Sequence, residues 1–220
     1  MPLHIDNTVI EGVYAATLKL VISTEDPVPV TRILNGRQTS AKQYGPDYSR
    51  AYWSLEIIVA LDQMELPYEI LDECNPRFEA PMDGGSFPAR MDQLSGTRLI
   101  AADDNEPSYG VHGPALEGTI VEIVHWPRKD AAYVRWTADY EDWRSGSTLR
   151  IPFCFEGEVA FTGIEMHVKQ ETDATTILCH VLPNLDQSAF VMILGREMKL
   201  GPLVQDDRRC WREVFWRPTS

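Results

Sequence analysis

The sequence predicts a mainly β fold, an antiparallel β-barrel or strongly curved sheet with one C-terminal helix. Three observations predict it. Short apolar runs between Leu116 and Leu182 are rich in β-branched and aromatic residues, several of them alternating with polar ones. Charge- or glycine-rich breakers such as Pro127-Arg-Lys-Asp130 and Glu156-Gly-Glu158 separate the runs as turns would. Only after Asn184 does the apolar spacing change, with Phe190, Leu194 and Met198 falling four apart.

Taken in order, residues 9–23 predict a first strand, bent at Gly12, in which Thr17 and Lys19 face away from Leu18 and Leu20. Prolines at 27 and 29 break it. A short apolar piece over Val30–Leu34 ends at the turn signal Asn35-Gly36, and the polar Gln38–Ser49 predicts loop. Residues 50–64 fit either strand or helix, and the cleaner two-residue alternation favours strand. Met64–Leu71, with Asn75-Pro76 downstream, locally resembles the helix-to-strand junction of glutathione transferases. Strands are predicted where that family has a helical domain, so the chain is not assigned to it.

Residues 72–96 are rich in Pro, Asp and Gly and predict an irregular loop or lid. A short run, Thr97–Ala102, follows. The meander is then predicted over 116–126, 132–140, 148–155, 159–168 and 174–182. A helix is predicted over 184–199, stopped by Gly201-Pro202, although a final strand can use the same residues. The aromatic tail Cys210–Trp216 predicts a returning edge or closing strand. All of residues 1–220 are read as a single β-rich domain, calycin-like in general shape. A barrel of about eight strands encloses room for one small ligand.

Composition narrows the function classes. Of 220 residues, 44% are hydrophobic and 24% charged, an ordinary globular balance. The net charge of −13 repels polyphosphate, so no nucleic-acid partner is expected. The start of the sequence lacks a basic segment followed by an apolar one, and no stretch predicts a membrane span. The cysteines at 74, 154, 179 and 210 form no Cys-x-x-Cys pair, which predicts reduced thiols and a cytoplasmic location. Cys154 and Cys179 read as small buried hydrophobes. Gly-rich nucleotide loops, nucleophile elbows and His-Glu-x-x-His helices do not occur, so no cofactor is expected.

Polar residues on otherwise apolar strands are the candidate site. Glu165 and His167 lie two apart, on a face that strict alternation shares with Phe161 and Gly163. His125 shares a face with Val121 and Ile123. Imidazole titrates near neutrality and a neighbouring carboxylate fixes its tautomer, so His167, Glu165 and His125, with Tyr133 as hydrogen-bond donor, are the candidate catalytic residues. Phe161, Trp136, Tyr140, Arg135 and His180 are the candidate substrate-binding residues. Three histidines on different strands make a zinc site geometrically conceivable, but without short ligand spacing no metal is expected. The reading is a cofactor-independent acid–base enzyme (isomerase, cyclase, dehydratase or decarboxylase) acting on an apolar or aromatic small molecule. The alternative is a non-catalytic carrier or sensor of a hydrophobic ligand. A homodimer is the default assembly on general frequency.

Overall fold

One strand of 20 residues, Arg150–Lys169, holds the architecture together, because its two halves pair with different neighbours. In a computed structural model the described residues are 3–5, 8–10, 13–23, 28–34, 37–43, 50–59, 76–100, 116–141, 150–169, 174–199 and 210–219. The strands are β1 (Leu3–Ile5), β2 (Thr8–Ile10), β3 (Val13–Ser23), β4 (Val28–Leu34), β5 (Arg37–Gln43), β6 (Arg50–Val59) and β7 (Arg77–Met82). They continue with β8 (Thr97–Ile100), β9 (Leu116–Arg128), β10 (Ala131–Glu141), β11 (Arg150–Lys169), β12 (Phe190–Lys199) and β13 (Cys210–Pro218), with helix α1 (Ala174–Val181) between β11 and β12.

The main path is β7-β6-β3-β11-β10-β9-β8, a mainly β, nearly closed barrel of seven strands whose two end strands, β7 and β8, come into contact. All of its pairings are antiparallel except β3 with β11, which run parallel from Ala160 to His167. The first half of β11 pairs with β10 and β1, the second with β3 and β13. The hairpins β1–β2 and β12–β13 therefore extend the sheet from opposite edges of the same strand. Strands β4 and β5 form a separate two-stranded sheet.

Alternation decides the core. Leu18, Leu20 and Ile22 on β3, Trp53, Leu55 and Ile57 on β6, and Val134, Trp136 and Ala138 on β10 are all buried in one cluster. Edge strand β7 adds Phe78 and Ala80 and tolerates the exposed Pro81, since a proline costs a ladder hydrogen bond only where a partner strand waits. Helix α1 buries Ala174, Ile177 and Leu178 at helical spacing. The turn after it docks on residues 85–89: Asn184 Nδ2 donates to the carbonyls of Gly85 and Phe87, each at 3.3 Å, and Asp186 N donates to that of Ala89. Phe87 in turn stacks on Trp53 at 6.0 Å.

Several expectations are corrected. The predicted strand over 174–182 is α1, because its apolar residues recur at three and four rather than two. The predicted helix over 184–199 is a short 3-10 turn followed by β12, paired along β13. Glu156-Gly-Glu158 is not a turn, since Gly157 sits mid-strand opposite Val134. Within 72–96, residues 77–82 are β7, so among the described residues the irregular stretch narrows to 83–96, anchored by the buried Phe87 and Leu94. Residues 38–43 of the predicted polar loop belong to β5. Cys179 is exposed and Cys154 half-buried. The strand choice for 50–64 holds over Arg50–Val59; Gly12, the Asn35-Gly36 turn and residues 60–64 lie outside the described residues. The expected β-barrel is present, its main path of seven strands belonging to a sheet of eleven. No helix among the described residues is long and apolar enough to cross a membrane.

Candidate functional site

Two regions draw the polar and aromatic residues together, one inside the barrel and one outside. Inside, the inward positions of five strands, β6, β7, β9, β10 and β11, supply an aromatic lining. Trp136 lies edge-on to Phe153 with ring centroids 5.1 Å apart, and Phe78 is 5.9 Å from Trp136. A second group joins Trp126 to Phe161 at 5.0 Å and Phe161 to Trp53 at 6.5 Å. Ser54 and Thr119 are the buried polar residues among those described, and no Lys, Arg, Asp or Glu is buried among them. An apolar, aromatic-lined barrel interior of this kind suits a small apolar ligand.

The indole N–H groups of Trp126, Trp136 and Trp216 are buried and have no hydrogen-bond partner among the described residues. A buried donor without an acceptor costs roughly 1–3 kcal/mol. Trp136 is the most enclosed of the three, at 0% exposed.

Outside, Glu165 and His167 do come together. His167 Nε2 lies 3.1 Å from Glu165 Oε1, and Lys19 Nζ lies 2.7 Å from Glu165 Oε2. Because an ionised carboxylate only accepts, His167 carries its proton on Nε2 in this contact. The hydrogen bond from His167 is the largest influence on Glu165; partial burial opposes it, the Lys19 ammonium adds to it, and the carboxyl falls from its ordinary 4.5 to about 2. All three side chains are largely shielded, at 29%, 20% and 21% exposed for Lys19, Glu165 and His167. Val21 and Ser54, on the neighbouring positions of β3 and β6, are buried as well.

The backbone explains why this cluster does not look into the barrel. Phe161 faces Leu18 on β3 and Gly163 faces Lys19, so Thr162 is an extra residue, a β-bulge. Before it, Ile151, Phe153, Phe155, Val159 and Phe161 are the buried hydrophobic residues; after it, Ile164, Met166 and Val168 are. The bulge reverses which parity points inward, and Glu165 and His167 leave the face of Phe161. Gly163 has φ of +100°, and a Cβ there would lie 2.1 Å from the carbonyl oxygen of Trp216, so only glycine fits. Arg217 closes the motif by donating to the Thr162 carbonyl.

A similar irregularity separates His125 from Ile123. The β9–β10 register slips between Tyr133 and Val134, turning Trp126 inward and leaving His125 exposed, its ring stacked on Tyr133 at 5.0 Å. Tyr133 donates to Glu156 at 3.5 Å, and Arg135 to the same carboxylate at 2.9 Å. This exposed array holds Glu156 below its ordinary range, chiefly through the Arg135 hydrogen bond. Arg135 also approaches Glu122 at 3.7 Å. Of the candidate binding residues, Trp136 and Phe161 line the interior, Arg135 faces solvent and His180 is exposed on α1. The side chain of Tyr140 lies outside the described residues.

Sequence reasoning missed Lys19 as the third member of the Glu165 cluster. It also missed Trp53, Phe78, Phe153 and Trp126 as interior aromatics. For Trp53, Phe78 and Phe153 inward alternation on β6, β7 and β11 was the available signal; Trp126 is turned inward by the register slip on β9. Among the described residues no three His, Cys, Asp or Glu side chains group closely enough to hold a metal ion. Compared with known proteins, the chain matches no family model, no curated protein and no solved structure.

Proposed function

We propose that this protein is a non-catalytic carrier or sensor that holds a small apolar molecule inside its barrel. The observation carrying this reading is the aromatic lining, Trp53, Trp126, Trp136, Phe78, Phe153 and Phe161, in an interior without a described buried charge. Such a wall supplies area for an apolar ligand and offers nothing to move a proton. Titration with neutral N-phenyl-naphthylamine tests it: energy transfer from the interior tryptophans should saturate at one probe per chain. Linear, unsaturable uptake would sink the reading.

A second reading keeps acid–base chemistry and moves it to the outer face. Its support is the contact of His167 with Glu165, itself tied to Lys19. There His167 would be the proton-transferring group, and Glu165, held ionised down to about 2, would orient the ring and stabilise the imidazolium. Its substrate would approach from outside the barrel. Loss of turnover in His167→Gln with probe binding intact would favour this reading; a substrate screen indifferent to that substitution would end it.

A further inference from the structure

We propose that the barrel ligand is an uncharged molecule with a carbonyl-type oxygen, and that the Trp136 indole N–H donates a hydrogen bond to it. The inference rests on the carrier reading and names the chemistry that reading leaves open. Trp136 is fully enclosed, its ring packs against those of Phe78 and Phe153, and its N–H has no partner among the described residues. Buried polar groups are almost always paired, so an orphaned donor on a ligand-suited wall marks where an acceptor belongs. An aliphatic hydrocarbon supplies no such acceptor. A carboxylate supplies one but brings a charge, and no described Lys or Arg is buried to meet it. A ketone, aldehyde or ester satisfies the indole without a counter-ion.

Three matched probes test this on the whole chain: a methyl naphthyl ketone, its isopropenyl analogue, in which a methylene replaces the oxygen, and naphthoate. The ketone should bind about tenfold more tightly than the alkene, the difference made by pairing one buried donor. Naphthoate should bind at least about a hundredfold more weakly than the ketone. In Trp136→Phe the ketone preference over the alkene should vanish, whatever the change in overall affinity; in Trp126→Phe the preference should survive. On the unmodified protein, the Trp136 indole N–H resonance should move downfield with the ketone and not with the alkene. That readout stands if a variant fails to fold.

The outcomes separate. If no probe binds saturably, the carrier reading itself falls. If ketone and alkene bind alike, or the preference depends on Trp126 alone, the carrier reading survives and the assignment to Trp136 is overturned.

Discussion

His167 Nε2 meets Glu165 Oε1 at 3.1 Å on a face that, through a single extra residue at the Gly163 bulge, is turned away from Phe161. The contact ties a histidine to a carboxylate whose ionisation has consequences for stability. Folding lowers the Glu165 pKa from its ordinary 4.5 to about 2, so its stabilisation is complete above about 4.5 and is lost as pH falls toward 2. With partial exposure screening the cluster, the loss should be on the order of 1–2 kcal/mol. Denaturant midpoints measured across that window should show a steeper acid limb in the wild type than in Glu165→Gln. Parallel limbs would contradict the assignment.

The bulge itself is testable. Gly163→Ala must place a Cβ 2.1 Å from the Trp216 carbonyl oxygen at a φ of +100°, a conformation that costs on the order of 1–3 kcal/mol before the clash is counted. A fall in thermal midpoint of many degrees is expected. A shift near zero would mean that the strand passes this point without the bulge.

Two adjacent residues on β10 report which face is which. Trp136 is fully buried and Arg135 is exposed and paired with Glu156. Trp136→Ala should lower stability by about 3–5 kcal/mol through lost burial and the void left behind. Arg135→Ala should leave the unfolding midpoint almost where it was, because an exposed ion pair is offset by the ordering of its long side chains. The reverse ranking would put the sheet inside out.

Thiol chemistry separates the helix from the strand. Cys179 is exposed on α1, whereas Cys154 is half-buried on β11 and its thiol is pushed up by burial, with the Glu156 charge adding to the effect. Peptide mapping after brief alkylation should find Cys179 modified roughly tenfold or more faster than Cys154, since the thiolate is the reacting form. Equal rates would argue against the helix placement of Cys179.

Much of the fold was legible because local alternation reports burial. Strands β3, β6, β9 and β10 lie close to where period-two spacing put them, and the tail Cys210–Trp216 is a strand. The swap of helix and strand after Lys169 was partly legible. Ala174, Ile177, Leu178 and Leu182 carry helical spacing, but β-branched Thr175, Thr176 and Ile177 imitate strand composition. Phe190, Leu194 and Met198 imitated a helix in turn, although residues 190–199 pair along β13, leaving Val191, Met192, Ile193 and Leu194 exposed.

The candidate site was less legible, for a physical reason. Alternation is a phase, and a bulge resets it. Glycine at 163 was visible in the sequence, but its need for positive φ comes from the Trp216 backbone, which arrives from 53 residues further along the chain. Pairing Glu165 with His167 needed only their spacing; choosing their side of the sheet needed the whole fold.

Strand β11 is shared property. Its first half is held by β1 and β10 and its second by β3 and β13, so neither end of the molecule can open without loosening a strand that the other end also uses. Unzipping should therefore be all-or-none rather than piecemeal, with the amides of residues 153–168 among the slowest to exchange with solvent.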